Sequence, residues 1–144
     1  MPTELLGKSK QELTDLAVSL GEPSYRGAQL YQSLYIERLF DLSKMSTLPN
    51  NFRERLAAET KLTLPTIRQR YKSQDGSVRY LFSLTPGDDR ATSRPASVEA
   101  VFMPSDGRQT ICISTQAGCA VDCQFCLTAQ LGLIRNLTSG EIVA

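Results

Sequence analysis

Two Asp-Gly dipeptides decide the middle of this chain. Asp75-Gly76 lies between TIRQRYKS and SVRYLFSL, and Asp106-Gly107 lies between SVEAVFMPS and RQTICIST. Runs that alternate apolar and polar residues flank both. Glycine accepts the positive φ that a tight reversal needs, so each dipeptide predicts a β-hairpin. In the second hairpin, Ser105 facing Arg108 sets Val101 opposite Cys112 and Glu99 opposite Ser114. Glu99, Val101 and Met103 then share a sheet face with Thr110, Cys112 and Ser114, and Glu99 and Cys112 become diagonal neighbours. Part-apolar surroundings on that face would favour the protonated form of Glu99, which suits a base. The hairpins are joined by TPGDDRATSRPAS, a polar linker rich in Pro and Ser.

The residues before Leu64 follow a helical period instead. Ser9 and Glu12 have capping-box spacing, Leu13, Leu16, Ala17 and Leu20 follow on one face, and Gly21 supplies the stop. A second helix is predicted over residues 25–37, with Ala28, Tyr31, Leu34 and Tyr35 inward. A third starts near Pro49 and carries Leu48, Phe52 and Leu56 on one stripe. The tyrosines read as core of a small helical bundle. At the far end Thr138 and Glu141 again have capping-box spacing, before Ile142 and Val143. The chain therefore stops in the opening turn of a helix, which suggests a piece of a longer protein.

The chemistry lies between these parts. Three of the four cysteines fall within eight positions, Cys119-x-x-x-Cys123-x-x-Cys126, and the fourth is Cys112. No apolar run is long enough to span a bilayer, and the N-terminus lacks the form of a signal peptide, so a cytoplasmic location is expected. Cysteines clustered in a reducing compartment read as metal-binding or catalytic. Histidine is absent from all 144 residues, so any metal must be held by thiolates. Structural zinc would want a second thiol pair, and only one Cys-x-x-Cys exists. Ordinary buried or redox-active cysteines would not be this dense. Three thiolates on one loop instead suit a four-iron cluster with one iron left open. The formal net charge is +1, so an RNA surface would have to be a local patch. Arg68, Arg70, Lys72 and Arg79, interleaved with Tyr71 and Tyr80, could be that patch or a solvated strand face.

Cys119, Cys123, Phe125 and Cys126 match the C-x-x-x-C-x-aromatic-C signature of radical S-adenosylmethionine enzymes. The wider stretch ICISTQAGCAVDCQFCLTAQLGLIRNLTSGEI resembles the RlmN family, the 23S ribosomal RNA adenine-C2 methyltransferases. VEAVFMP resembles that family's strand before the cluster, and LGEPSYRGAQLYQSLY its helical accessory domain. The linker is longer than the family's usual connection.

The resemblance implies a fold that is α+β leading into α/β. A helical accessory, RNA-binding domain would cover residues 1–62 and a β-hairpin connecting region 63–104. The start of a partial, truncated (β/α) radical SAM barrel would cover 105–144. It further implies a [4Fe-4S] cluster on Cys119, Cys123 and Cys126, with S-adenosyl-L-methionine bound at the open iron and Phe125 near its adenine. By position Cys112 matches the cysteine that resolves a covalent RNA adduct through a transient disulfide, and Glu99 matches the proton acceptor. Either of the two could remove the adenine C2 proton. Arg135 and Asn136 could brace the loop, approach RNA or form a solvated helix entry. The implied partners are 23S rRNA, tRNA and a reductant such as flavodoxin, the implied state is a monomer, and no membrane is involved. The methyl-carrying cysteine has no counterpart, since no cysteine follows Cys126, so these 144 residues alone are expected to be inactive. The alternatives are the related adenine-C8 enzyme and a non-catalytic zinc module that binds RNA.

Overall fold

The structure is a computed structural model that describes residues 2–84 and 96–144. It divides into two compact units that meet between Thr63 and Leu64. Among the described residues no helix is long and apolar enough to cross a membrane.

The first unit is helical. α1 (Lys10–Ser19) starts on the expected capping box: the Ser9 hydroxyl accepts from the Glu12 N–H, and the Glu12 carboxylate accepts from the Ser9 N–H at 2.7 Å. Gly21 ends the helix at φ +78°. α2 (Tyr25–Tyr31) lies against α1 so closely that a Cβ on Gly27 would overlap the Thr14 backbone. Only glycine permits that approach. The helix expected to run to residue 37 changes character after Tyr31, and residues Gln32–Ile36 form a π-helical turn. One extra residue per turn shifts the phase of the stripe. Gly27, Leu30, Ser33 and Leu34 are buried, while Ala28, Tyr31 and Tyr35 are only partly so. The Tyr35 hydroxyl still ties the entry segment down, accepting from the Gly7 N–H and donating to the Lys8 carbonyl, both at 2.9 Å.

α3 (Asn50–Glu59) begins after Pro49 and presents Phe52 and Leu56, as its spacing predicts. These two join Leu5, Leu13, Leu30, Leu34, Met45 and Leu48 in one closely packed core. Two short strands, β1 (Thr3–Glu4) and β2 (Thr60–Lys61), pair in parallel at its margin, a contact no local pattern announces.

The second unit is built on an antiparallel sheet ordered β3 (Thr66–Lys72), β4 (Val78–Leu84), β5 (Ala96–Ser105), β6 (Arg108–Ile113). Both Asp-Gly hairpins form, with Gly76 at φ +85° and Gly107 at +68°. Ser105 faces Arg108 and Val101 faces Cys112, the register counted from the sequence. Most of the expected linker, residues 85–95, lies outside the described residues. Ala96 and Ser97, read above as linker, belong to β5, because they pair with Leu84 and Ser83. β5 itself runs on to Ser105.

Strand alternation gives the sheet two unlike faces. Tyr80, Phe82, Val98, Phe102, Ile111 and Ile113 point one way and line an apolar cleft of about 420 Å³, closed in part by Leu137 and Ile142. Tyr71, Arg79, Glu99, Val101 and Cys112 point the other way. A second, smaller core holds Leu84, Ala96 and Ala117, with Val98, Ile134 and Leu137 packed on it. That core anchors the last element pair, β7 (Gln116–Gly118) with β8 (Leu133–Asn136), to the end of the sheet.

Candidate metal centre

The cysteine loop is what β7 and β8 hold between them. At its base Gly118 sits at φ +78°, and a Cβ there would overlap the Gly132 carbonyl oxygen. The Cys119 N–H donates to that same oxygen at 3.2 Å. Thus backbone meets backbone where the loop leaves the ladder. Asp122, in the left-handed region at φ 55°, turns the chain inside the loop. The Cys126 N–H then donates to the Cys123 carbonyl at 3.1 Å, and Cys126 caps the single-turn helix α4 (Leu127–Gln130).

Below the loop, polar contacts lock the ladder. Gln116 Nε2 donates to Asn136 Oδ1 at 2.9 Å. Arg135 donates through both Nη atoms to Glu141, at 2.7 and 2.6 Å. Glu141 also accepts from the Thr138 N–H, which completes the capping box that opens α5 (Ser139–Val143). Burial pushes the Glu141 carboxyl up, but Arg135 and the Thr138 N–H more than offset it and hold it below the ordinary carboxylate range. Arg135 and Asn136 thus tie together the ladder below the loop, one of the three roles open to them on sequence.

All four cysteines are free thiols; Cys119, Cys123 and Cys126 are partly exposed and Cys112 is exposed. Cys119 Sγ accepts from the Val121 N–H at 3.4 Å. The N–H groups of Ala129 and Thr128 point at the Cys126 sulfur and lower its pKa below that of an ordinary thiol. The donor set fits an iron–sulfur cluster: three soft thiols on one turn, with backbone N–H groups aimed at sulfur. Among the described residues no three or more Cys, Asp or Glu side chains are gathered so as to hold a metal, so ligation would have to draw the thiols together. Phe125 is 93% exposed, so it does not pack the loop against its own scaffold.

Cys126 has its pKa lowered by the Ala129 and Thr128 backbone amides, which lie near its sulfur only in the folded loop. Its thiolate therefore stabilises the fold above the thiol's ordinary pKa, and that contribution fades as pH falls through the lower folded value. In the metal-free protein, iodoacetamide alkylation of Cys126 followed by mass spectrometry should show a pH midpoint below that of the same cysteine in urea. Coincident midpoints would contradict the capping geometry.

Glu99 and Cys112 stand as the register requires, on adjacent strands of one face. The Ser114 hydroxyl donates to the Glu99 carbonyl at 2.7 Å. The part-apolar setting expected for Glu99 is not what it meets. Its carboxylate is half-exposed and lies 3.7 Å from the Arg79 guanidinium. Counting outward from one turn missed this ion pair, since it crosses from β4 to β5 through the long connection.

A family profile described as "Ribosomal RNA large subunit methyltransferase N-terminal domain" matches residues 3–62. Among characterised relatives, a "Probable dual-specificity RNA methyltransferase RlmN" from Koribacter versatilis is 45% identical over 140 residues, covering 86% of this chain and 38% of that protein. A "Dual-specificity RNA methyltransferase RlmN" from Brucella anthropi is 35% identical over 144 residues, covering 97% and 34%. Among solved structures, a radical SAM methyltransferase from Sphaerobacter thermophilus superposes with a TM-score of 0.81 at 34% identity, covering 98% of this chain and 39% of that one. The chain thus spans little more than a third of the length of the curated relatives it matches.

Proposed function

Since the chain belongs to the RlmN family, we propose that it forms the accessory and cluster-binding part of a radical S-adenosylmethionine methyltransferase that modifies adenine C2 in 23S rRNA and in tRNA. The observation that carries the reading is the loop itself. Three free thiols stand at three-then-two spacing on a turn whose base is closed by Gly118 and Gly132.

In this reading Cys119, Cys123 and Cys126 hold a [4Fe-4S] cluster, which when bound supplies the electron that starts radical chemistry on the methyl donor. Glu99 and Cys112 work on the RNA side. Glu99 would be the proton acceptor, and the Arg79 guanidinium 3.7 Å away holds its carboxylate in place on that face. Cys112, exposed on β6 and outside the loop, is free to form the transient disulfide that releases a cysteine-tethered product. Residues from 105 onward open a partial (β/α) barrel, and residues 1–62 form the accessory domain.

The test is anaerobic purification of the complete gene product. Iron and sulfide in near-equal amounts, a visible spectrum that changes on adding S-adenosylmethionine, and 2-methyladenosine in digests of treated 23S rRNA are the expected results. A colourless protein holding one zinc would replace the reading with a structural zinc module. Methylation at C8 would keep the chemistry and overturn the regiochemistry.

A further inference from the structure

We propose that the β3–β4 hairpin is a docking surface for the phosphate backbone of the RNA substrate, an inference that rests on the RNA-modifying role above. β3 is an edge strand, and all seven of its residues are exposed. It carries Arg68, Arg70 and Lys72 and no acidic residue. Sheet edges are commonly charged, with Lys especially, to prevent strand addition, and that need is met by one or two charges. An edge furnished with cations alone fits an anionic partner better. The nineteen residues of Thr66–Leu84 hold four cations and one aspartate, a net charge of +3 in a chain whose total is +1. The remainder of the chain is therefore net negative, and the hairpin is the electrostatic exception.

Cross-strand geometry says what kind of contact this surface makes. Arg70 lies over the Tyr80 ring at 5.6 Å on one face, and Arg79 lies over the Tyr71 ring at 4.7 Å on the other. A guanidinium stacked on a ring is fixed in plane; Arg70 keeps its N–H fork for a phosphate, whereas Arg79 is shared with the Glu99 carboxylate. The stacking engages one face of each tyrosine, so cations rather than bare rings lead this surface. Arg68 stands at the β-bulge between Ile67 and Gln69, and among the described residues neither it nor Lys72 has an ion-pair partner. The contact is accordingly electrostatic and indifferent to sequence.

The experiment compares the complete protein with its Arg68→Gln/Lys72→Gln variant, which leaves both stacked pairs intact. Binding to a labelled RNA stem–loop and to labelled poly(U) is measured between 50 and 200 mM KCl. Each lost phosphate contact removes about 0.7–0.9 from the slope of log affinity against log salt. A slope shallower by about 1.5, with affinity at the lower salt reduced on the order of tenfold for both RNAs, is the expected result. Equal slopes and affinities would overturn the proposal, as would a loss confined to one RNA sequence. Iron content and the spectral response to S-adenosylmethionine are read on the same samples. Their retention in a variant that binds RNA normally would sink the docking surface alone, and their absence from the unsubstituted protein would sink the enzymatic reading.

Discussion

Alanine at Cys119, Cys123 or Cys126, one position at a time, should reduce bound iron after anaerobic reconstitution to background, while alanine at Cys112 should leave it unchanged. The physical case is one of donor supply. A four-iron cluster requires a ligand on each iron that the protein holds. The chain has no histidine, and the one other cysteine lies on β6, in the sheet rather than in the loop. A loop left with two thiols therefore has no soft donor to recruit. Cys112→Ala should separate metal binding from product release: iron and the spectral response persist, while RNA accumulates covalently attached to the protein of full length. That adduct is visible as a retarded band on a denaturing gel. Iron retention by any of the three loop variants would break the assignment, and so would iron loss from Cys112→Ala.

Gly118→Ala and Gly132→Ala should differ sharply, although both glycines have positive φ at the same loop base. At Gly132, φ is +66° and the space around a new Cβ is open. Its cost is the left-handed backbone penalty alone, about 1–2 kcal/mol. At Gly118 the same penalty is joined by overlap with the Gly132 carbonyl, the very oxygen that accepts from the Cys119 N–H. Relief requires β7 to separate from β8. Hydrogen exchange at the Cys119 amide is the measurement. Gly132→Ala should accelerate it by roughly five- to thirtyfold, the range that 1–2 kcal/mol allows. Gly118→Ala should remove its protection altogether and lower iron uptake in parallel. Similar exchange rates in the two variants would show that the loop base yields without cost.

Much of this architecture is legible one residue at a time because its signals are local. The capping boxes at Ser9 and Thr138, the stop at Gly21 and the two Asp-Gly turns each act within a few residues, and each forms as read. The facing of Val101 and Cys112 follows because a hairpin register is counted from its turn. What the sequence conceals is non-local or phase-shifting. The π-helical turn after Tyr31 breaks the helix expected to run to residue 37, and no propensity marks it. The parallel pairing of β1 with β2 joins residues some sixty positions apart. Arg79 is readable as a surface cation, yet its role beside Glu99 depends on β4 finding β5 across the long connection. Likewise the three cysteines announce their chemistry by spacing, but the need for glycine at 118 appears only once the Gly132 carbonyl is seen against it.

β5 is hydrogen-bonded to β4 on one side and to β6 on the other. Two separate ladders therefore fix where Glu99 and Cys112 stand, and neither depends on the length of chain between Leu84 and Ala96. A change of length there should accordingly leave Val101 facing Cys112, whereas one residue added at Asp106-Gly107 would move the two apart.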